Sequence, residues 1–226
     1  MMSLTVKQSY DLIAEHFKNT RVFTWTWTDN FINKLRKKSL ILDIGSGNGR
    51  NTMYNDHIIY GLDISFEQLK MNKCINKSDI QATMTNIPFK NNLFHSILSI
   101  ATFHHLKTIE ERHDCLKEMK RVLTKNGKIL LSVWSINQPK KTKRIFTNYG
   151  DNIVNWNTNR KDTEGNFIII PRYYYIFKLD EIKELLQEYF IIDKYYWDSG
   201  NEIFELSNNN LQNNYLKNNY LKNNYL

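Results

Sequence analysis

The sequence predicts an α/β fold: a mostly parallel, seven-stranded sheet with helices on both faces, finished by a C-terminal antiparallel hairpin. Three observations point there. Short apolar runs alternate with stretches of helical periodicity between residues 40 and 134, and parallel neighbours in a sheet need crossovers of that kind. Those runs are continuously apolar, which suits strands covered on both faces. After the last helical stretch, two strand-like runs flank Ser199-Gly200-Asn201, as in a hairpin.

In chain order, Val6, Tyr10, Ile13, Ala14 and Phe17 share one face of a helix over residues 6–17, and Phe31, Ile32 and Leu35 mark a second. Leu40–Ile44 is a buried-strand run ending in glycines, and Ile58–Asp63 is another. Residues 66–74 read as helix, 80–83 as a short strand and Phe94–Ile100 as a strand. An amphipathic helix over 109–123 stops at Asn126-Gly127, and residues 128–134 form a strongly apolar strand. Residues 179–190 are helical, with Leu179, Ile182, Leu185, Leu186 and Tyr189 on one side, and 191–197 with 203–206 make the hairpin.

At 226 residues the chain suits a single domain, placed at 1–206 with residues 136–178 as an insertion that covers the substrate. The tail, 207–226, repeats a five-residue Asn-rich unit with neither helical nor strand periodicity and is read as disordered. No apolar run is long enough to span a bilayer, and the start lacks the pattern of a secretory signal, so a cytoplasmic protein with no membrane partner is expected. The two cysteines, Cys74 and Cys115, are not in a CxxC pair and read as reduced thiols on helices, so no metal site is expected. A net charge of +8 fits either a polyanionic partner or a merely basic surface.

Gly45, Gly47 and Gly49, with Ser46 and Asn48 between them, follow directly on the first strand, where backbone can approach a ligand closely. A plain strand-to-helix turn would show the same glycines, but two carboxylates add context. Asp43 lies two residues before Gly45, and Asp63 ends the second strand, where a carboxylate can accept both hydroxyls of a ribose. A helix N-cap is the plainer role for Asp63, and Ser65 competes for it. An acidic, glycine-rich loop suits a donor carrying an amine and a sulfonium better than it suits a diphosphate.

With these residues in view, the chain resembles the Rossmann-like class I S-adenosyl-L-methionine-dependent methyltransferases. Within them it resembles the tRNA wobble-uridine enzymes that methyl-esterify 5-carboxymethyluridine. Five segments over residues 10–201 carry the likeness: Tyr10-Asp11-Leu12-Ile13-Ala14-Glu15-His16-Phe17 with Thr20-Arg21; the loop from Asp43 to Arg50; Ser99-Ile100-Ala101-Thr102-Phe103-His104-His105-Leu106 with Glu111-Arg112; Val133-Trp134-Ser135-Ile136-Asn137-Gln138; and Pro171-Arg172-Tyr173-Tyr174-Tyr175. The resemblance implies S-adenosyl-L-methionine held by Asp43, Gly45, Ser46, Gly47, Asn48, Gly49, Asp63, Ile64, Thr83, Asn86 and Ile100. It implies Arg21, His104, His105 and Arg172 at the reacting group, Trp134, Gln138, Tyr173 and Tyr174 around the substrate, and a small zinc-binding activator that caps a sheet edge, for which residues 80–83 offer a short apolar strand. The chain departs from the pattern at Thr83, His95, Thr24-Trp25-Thr26 and Asn201-Glu202.

Methyl transfer is an in-line displacement, so alignment in a dry cleft is the main task, and an acceptor carboxylate with a pKa of about 4 needs no general base. Residues 136–178 carry eight basic against three acidic residues, net +5 of the chain's +8, interleaved with aromatics such as Trp156 and Tyr173. That mixture suits single-stranded RNA, here a tRNA anticodon loop rather than DNA, although a solvated lid would show it too. Two other readings share the same core: a small-molecule methyltransferase, and a non-catalytic donor- or RNA-binding homologue.

Overall fold

The computed structural model describes residues 4–54, 56–72, 78–140, 142 and 144–208. In chain order the elements are α1 (Val6–Thr20), α2 (Thr26–Ile32), β1 (Leu40–Ile44), β2 (Ile58–Asp63), α3 (Phe66–Lys70), β3 (Ser78–Gln81), β4 (Phe94–Ile100), α4 (Ile109–Val122), β5 (Leu123–Trp134), β6 (Gly150–Lys161), β7 (Phe167–Ile176), α5 (Leu179–Gln187), β8 (Phe190–Asp198) and β9 (Asn201–Asn208). Seven strands form one sheet in the order β3-β2-β1-β4-β5-β9-β8. β1 to β5 pair in parallel, and β9 is antiparallel to both β5 and β8.

Alternation along each strand explains why both faces are covered. Leu42 and Ile97 point into a core with α4 and α5, through Leu116, Met119, Ile182 and Leu186. Their neighbours Ile41 and Leu98 point the other way, onto Trp27, Phe31 and Ile32 of α2. Side-chain caps fix several helix starts: Thr5 and Thr108 close capping boxes on α1 and α4, and the Ser65 hydroxyl accepts from the Gln68 N–H at the start of α3. The chain leaves β1 toward β2 on one side, while β4 lies on the other. A crevice therefore opens at the carboxyl ends of β1, β2 and β4.

Several boundaries differ from the sequence expectation. α2 ends at Ile32, short of Leu35, and α3 ends at Lys70; residues 73–77, Cys74 among them, lie outside the described residues. β3 occupies Ser78–Gln81 and not 80–83, because its pairing with β2 runs from Tyr60↔Ser78 to Asp63↔Gln81. That edge is consequently more polar than expected, and Thr83 falls beyond it. β5 starts at Leu123, directly after α4, and Asn126-Gly127 lies within it where its pairing with β4 is irregular. β9 continues through Ser207 and Asn208, which pair with Lys128 and Phe190, so the fold passes the expected limit at residue 206; the tail beyond 208 lies outside the described residues. The insertion contains an antiparallel hairpin, β6–β7, where the sequence predicts no strands.

Candidate active site

The crevice is a cavity of about 980 Å³, at the upper end of the range for small-molecule sites. Gly45, Ser46, Gly47, Asn48, Asp63, Ile64, Thr83 and Ile100 line one end. Gly45 has a left-handed φ of 71° and lies so close to the loop after β4 that a Cβ there would come within 1.9 Å of Thr102 Oγ1. Asp63 shapes the next turn: Oδ2 accepts from the Gly47 N–H at 2.9 Å and Oδ1 from the Ser65 N–H at 2.8 Å. Both oxygens keep a lone pair, and the α3 cap belongs to Ser65. Burial pushes the Asp63 carboxyl up to about 6, against the pull of those two amides.

Asp43 stands behind this loop, fully buried and off the cavity wall. Burial pushes it up to about 7, and the Arg50 charge opposes the shift. Asn51 is close enough to ease it but not in hydrogen-bond geometry, and neither carboxylate oxygen has a described partner. Asn48 ties the loop to the end of α1 by donating from Nδ2 to the Arg21 carbonyl at 3.0 Å. Gly49 and Asn86 are off the wall: Gly49 opens a single 3-10 turn with φ 76°, and Asn86 is exposed, its N–H on the Thr83 carbonyl.

The other end is aromatic and basic. Tyr10, Arg21, His105, Trp134, Arg144, Arg172 and Tyr174 line it. The buried Tyr174 ring stacks on Trp134 with centroids 4.1 Å apart and planes within 9°. His105 Nδ1 lies 2.8 Å from the Tyr173 carbonyl, which assigns its proton there, so Nε2 accepts from the Tyr10 hydroxyl at 2.9 Å. Tyr174 extends this chain through its hydroxyl, 3.2 Å from that of Tyr10. Burial, with a smaller contribution from the Arg172 charge, pushes His105 down to about 4, so it is neutral at physiological pH.

The histidine pair is split. His104 lies behind the wall, its Nδ1 accepting from the Trp134 N–H at 2.9 Å, and burial keeps it neutral.

Arg172 is only 4% exposed, yet its side chain makes no hydrogen bond to a described residue, and its Nε is fully buried without a partner. Its guanidinium lies 4.5 Å from the centroid of the Trp156 ring, and that of Arg21 lies 5.5 Å from the same ring. Arg144 lies over Trp134 at 4.1 Å. Burial and the neighbouring guanidiniums push Arg21 and Arg144 down in pKa, and neither these two nor Arg172 pairs with a described carboxylate. The cavity therefore has one end where Asp63 lies, with Arg50 also on the wall, and another where Arg21, Arg144 and Arg172 gather without a described carboxylate partner.

Gln138 and Tyr173 are not on the wall. Gln138 Nε2 donates to the carbonyls of Ser135 and Gly200 at 2.7 and 2.9 Å, locking the root of the insertion onto the β8–β9 turn. The Tyr173 hydroxyl donates to Asp151 across β6–β7 at 2.6 Å, on the outside of the hairpin. Thr102, Tyr10 and Arg144 also line the cavity. Tyr10 and Thr102 stand inside segments that resemble the family, and Arg144 is one cation among eight in residues 136–178. Two departures from the family pattern have structural work away from the cavity: His95 Nδ1 accepts from the Leu40 N–H at 2.9 Å, and buried Glu202 accepts from Ser135 and Tyr195. No helix among the described residues is long and apolar enough to cross a membrane.

Residues 42–131 match the family model described as a methyltransferase domain. The chain is 31% identical over 198 residues to the tRNA (carboxymethyluridine(34)-5-O)-methyltransferase of Schizosaccharomyces pombe, over 80% of this chain and 86% of that one. It is 34% identical over 134 residues to the Arabidopsis thaliana protein of the same name, over 59% of this chain but 33% of the other, so it spans about a third of that relative. A chain from the solved complex between the Haloferax volcanii Trm112 methyltransferase activator and a methyltransferase is similar in fold, with TM-score 0.63 at 12% identity over 90% of this chain and 97% of that one.

Proposed function

Because this chain belongs to the tRNA carboxymethyluridine methyltransferase family of S-adenosylmethionine-dependent enzymes, we propose that it methyl-esterifies 5-carboxymethyluridine at the wobble position of tRNA, in the cytoplasm. The observation that carries the reading is the pair Arg21 and Arg172, drawn together over Trp156 without a carboxylate partner and facing the same cavity as Asp63. A guanidinium pair of this kind suits a carboxylate, which it can hold through parallel hydrogen bonds.

The donor end fits S-adenosylmethionine in chemistry. When bound, S-adenosylmethionine supplies an activated methyl group. Asp63 offers its remaining lone pairs to a ribose diol, and Ile64, Ile100 and Thr83 flank the place for a base. Asp43 acts from behind the loop as a buried negative charge favouring a cationic ligand. Asn86, exposed and off the wall, drops out of this set.

At the other end the acceptor carboxylate is already ionised at neutral pH, so these residues align it and exclude water. Arg21 and Arg172 would hold it. His105, kept neutral, fixes Tyr10 and through it Tyr174. His104 supports Trp134 from behind. We read the β6–β7 insertion as the lid over the acceptor, since it contributes Arg172, Tyr174 and Trp156. A small zinc-binding activator of the Trm112 kind is part of the reading: β3 is a four-residue edge strand with β2 as its one described neighbour.

The test is mass spectrometry of nucleosides from tRNA carrying 5-carboxymethyluridine, after incubation with methyl-labelled donor, with and without an activator. One labelled methyl on that nucleoside is expected. Label on a different nucleoside, or none with activator supplied, contradicts the proposal.

A further inference from the structure

Three guanidiniums face one end of the cavity, but they do not form one group. Arg21 and Arg172 gather on Trp156, at 5.5 and 4.5 Å from its ring. Arg144 sits 4.1 Å from the centroid of Trp134, whose opposite face is covered by Tyr174 at 4.1 Å. Trp134 thus has both faces occupied, and its indole stands between Arg144 and Tyr174. Arg172 lies beside this stack, nearer to Tyr174, at 5.2 Å, than to Trp134, at 6.0 Å.

Charge counting points the same way. One carboxylate neutralises one of three cations, and none of the three has a described acidic partner. Arg172 lowers the pKa of both Arg21 and Arg144, and Arg21 lowers that of Arg144, so the three are within electrostatic reach and favour an anion of more than one charge. Arg144 belongs to the segment between β5 and β6, at the root of the hairpin that bears Arg172.

We propose that Arg144 is a specificity-determining residue that receives a backbone phosphate beside the modified nucleoside, while Arg21 and Arg172 receive its carboxylate. This rests on the function proposed above and adds to it how a nucleotide within RNA is told from a free carboxylate. Two anion positions, one on each side of the indole plane, favour an acceptor that fills both over one that fills only one. The indole stacks on Tyr174, and the backbone N–H of the same residue donates to His104.

The experiment compares wild type, Arg144→Gln and Arg144→Lys, with activator present. Binding of a fluorescent anticodon stem-loop carrying 5-carboxymethyluridine is followed across salt concentrations, and turnover is measured on that stem-loop and on the free nucleoside. Arg144→Gln, which keeps a planar group over Trp134, is expected to raise KM for the stem-loop about tenfold and to reduce the salt slope by about one. Turnover of the nucleoside should fall less than that of the stem-loop, because the nucleoside has no backbone phosphate for Arg144 to receive. Arg144→Lys should restore the salt slope. Equal losses on both acceptors, or an unchanged salt slope in Arg144→Gln, overturn the assignment. Should wild type methylate neither acceptor, the proposed function fails, and the salt slope alone still decides the role of Arg144.

Discussion

At one end of the cavity stand the carboxylates of β1 and β2, Asp43 behind the wall and Asp63 on it, with Arg50 beside Asp43; at the other stand guanidiniums from the end of α1, the segment after β5, and β7. The carboxylates are raised in pKa by burial and the guanidiniums are lowered, so each end holds charge at a cost and favours a ligand of opposite sign. The ends also differ in construction. The polar part of the donor end comes from the loop after β1 and the end of β2, with Asp63 bonded to the Gly47 backbone. The cationic end draws together residues 10, 21, 105, 134, 144, 172 and 174. Asn48, donating to the Arg21 carbonyl, joins the two. A donor site can thus persist with little change while the acceptor site is rebuilt through one helix and one hairpin.

Arg172 separates the two ends most sharply. Replacing it with methionine, which keeps an apolar stem under Trp156, should lower kcat/KM for carboxymethylated tRNA by about 100- to 1,000-fold, the range for removing one partner of a buried charge pair. Donor affinity, measured by calorimetry, should stay within about twofold, since bonds at separate sites act independently. Comparable losses in both quantities would mean that the ends are not separate.

Asp63→Ala addresses the other end. Loss of a charge-assisted hydrogen bond should weaken donor binding by about 10- to 100-fold, and thermal stability should fall as well because Gly47 and Ser65 lose their acceptor. Unchanged donor affinity would remove Asp63 from the site.

A smaller effect follows from the raised carboxyls. Without ligand, a raised pKa contributes stability that is fully present below the ordinary value of 3.8 and is lost as pH rises through about 6 for Asp63 and about 7 for Asp43. His105 acts oppositely: its contribution is present above the ordinary 6.5 and lost as pH falls through about 4. Melting curves of Asp43→Asn should therefore lack part of the fall that wild type shows between pH 4 and 7. Donor affinity should rise over the same window, by at most about tenfold per pH unit for each proton released, because a cationic ligand needs the ionised carboxylates. A flat affinity profile would detach Asp43 from donor binding.

The ends also differ in how far the sequence discloses them. Leu40–Ile44 and the glycines after it form one local signal, and Asp63 stands where a strand-ending carboxylate should, on the cavity wall. The central strands are legible for the same reason, since a strand buried on both faces must be apolar throughout. β6 is not, because it alternates asparagine with Ile153, Val154 and Trp156, a pattern that reads as a polar loop, and β7 is its one partner strand among the described residues. Missing it hides the register that sends Arg172 and Tyr174 inward and Tyr173 outward. Gln138 looks like an acceptor-orienting amide until the β8–β9 turn brings the Gly200 carbonyl to it. Arg144 cannot be singled out from seven other cations without seeing Trp134 beneath it.

The most direct test is an experimental structure of this protein with the demethylated donor, S-adenosylhomocysteine, and 5-carboxymethyluridine bound together. The account predicts the ribose diol on Asp63, with the acceptor carboxylate between Arg21 and Arg172 at the opposite end of the same cavity. A carboxylate seated elsewhere, or a donor product whose ribose contacts the arginine end, would contradict it.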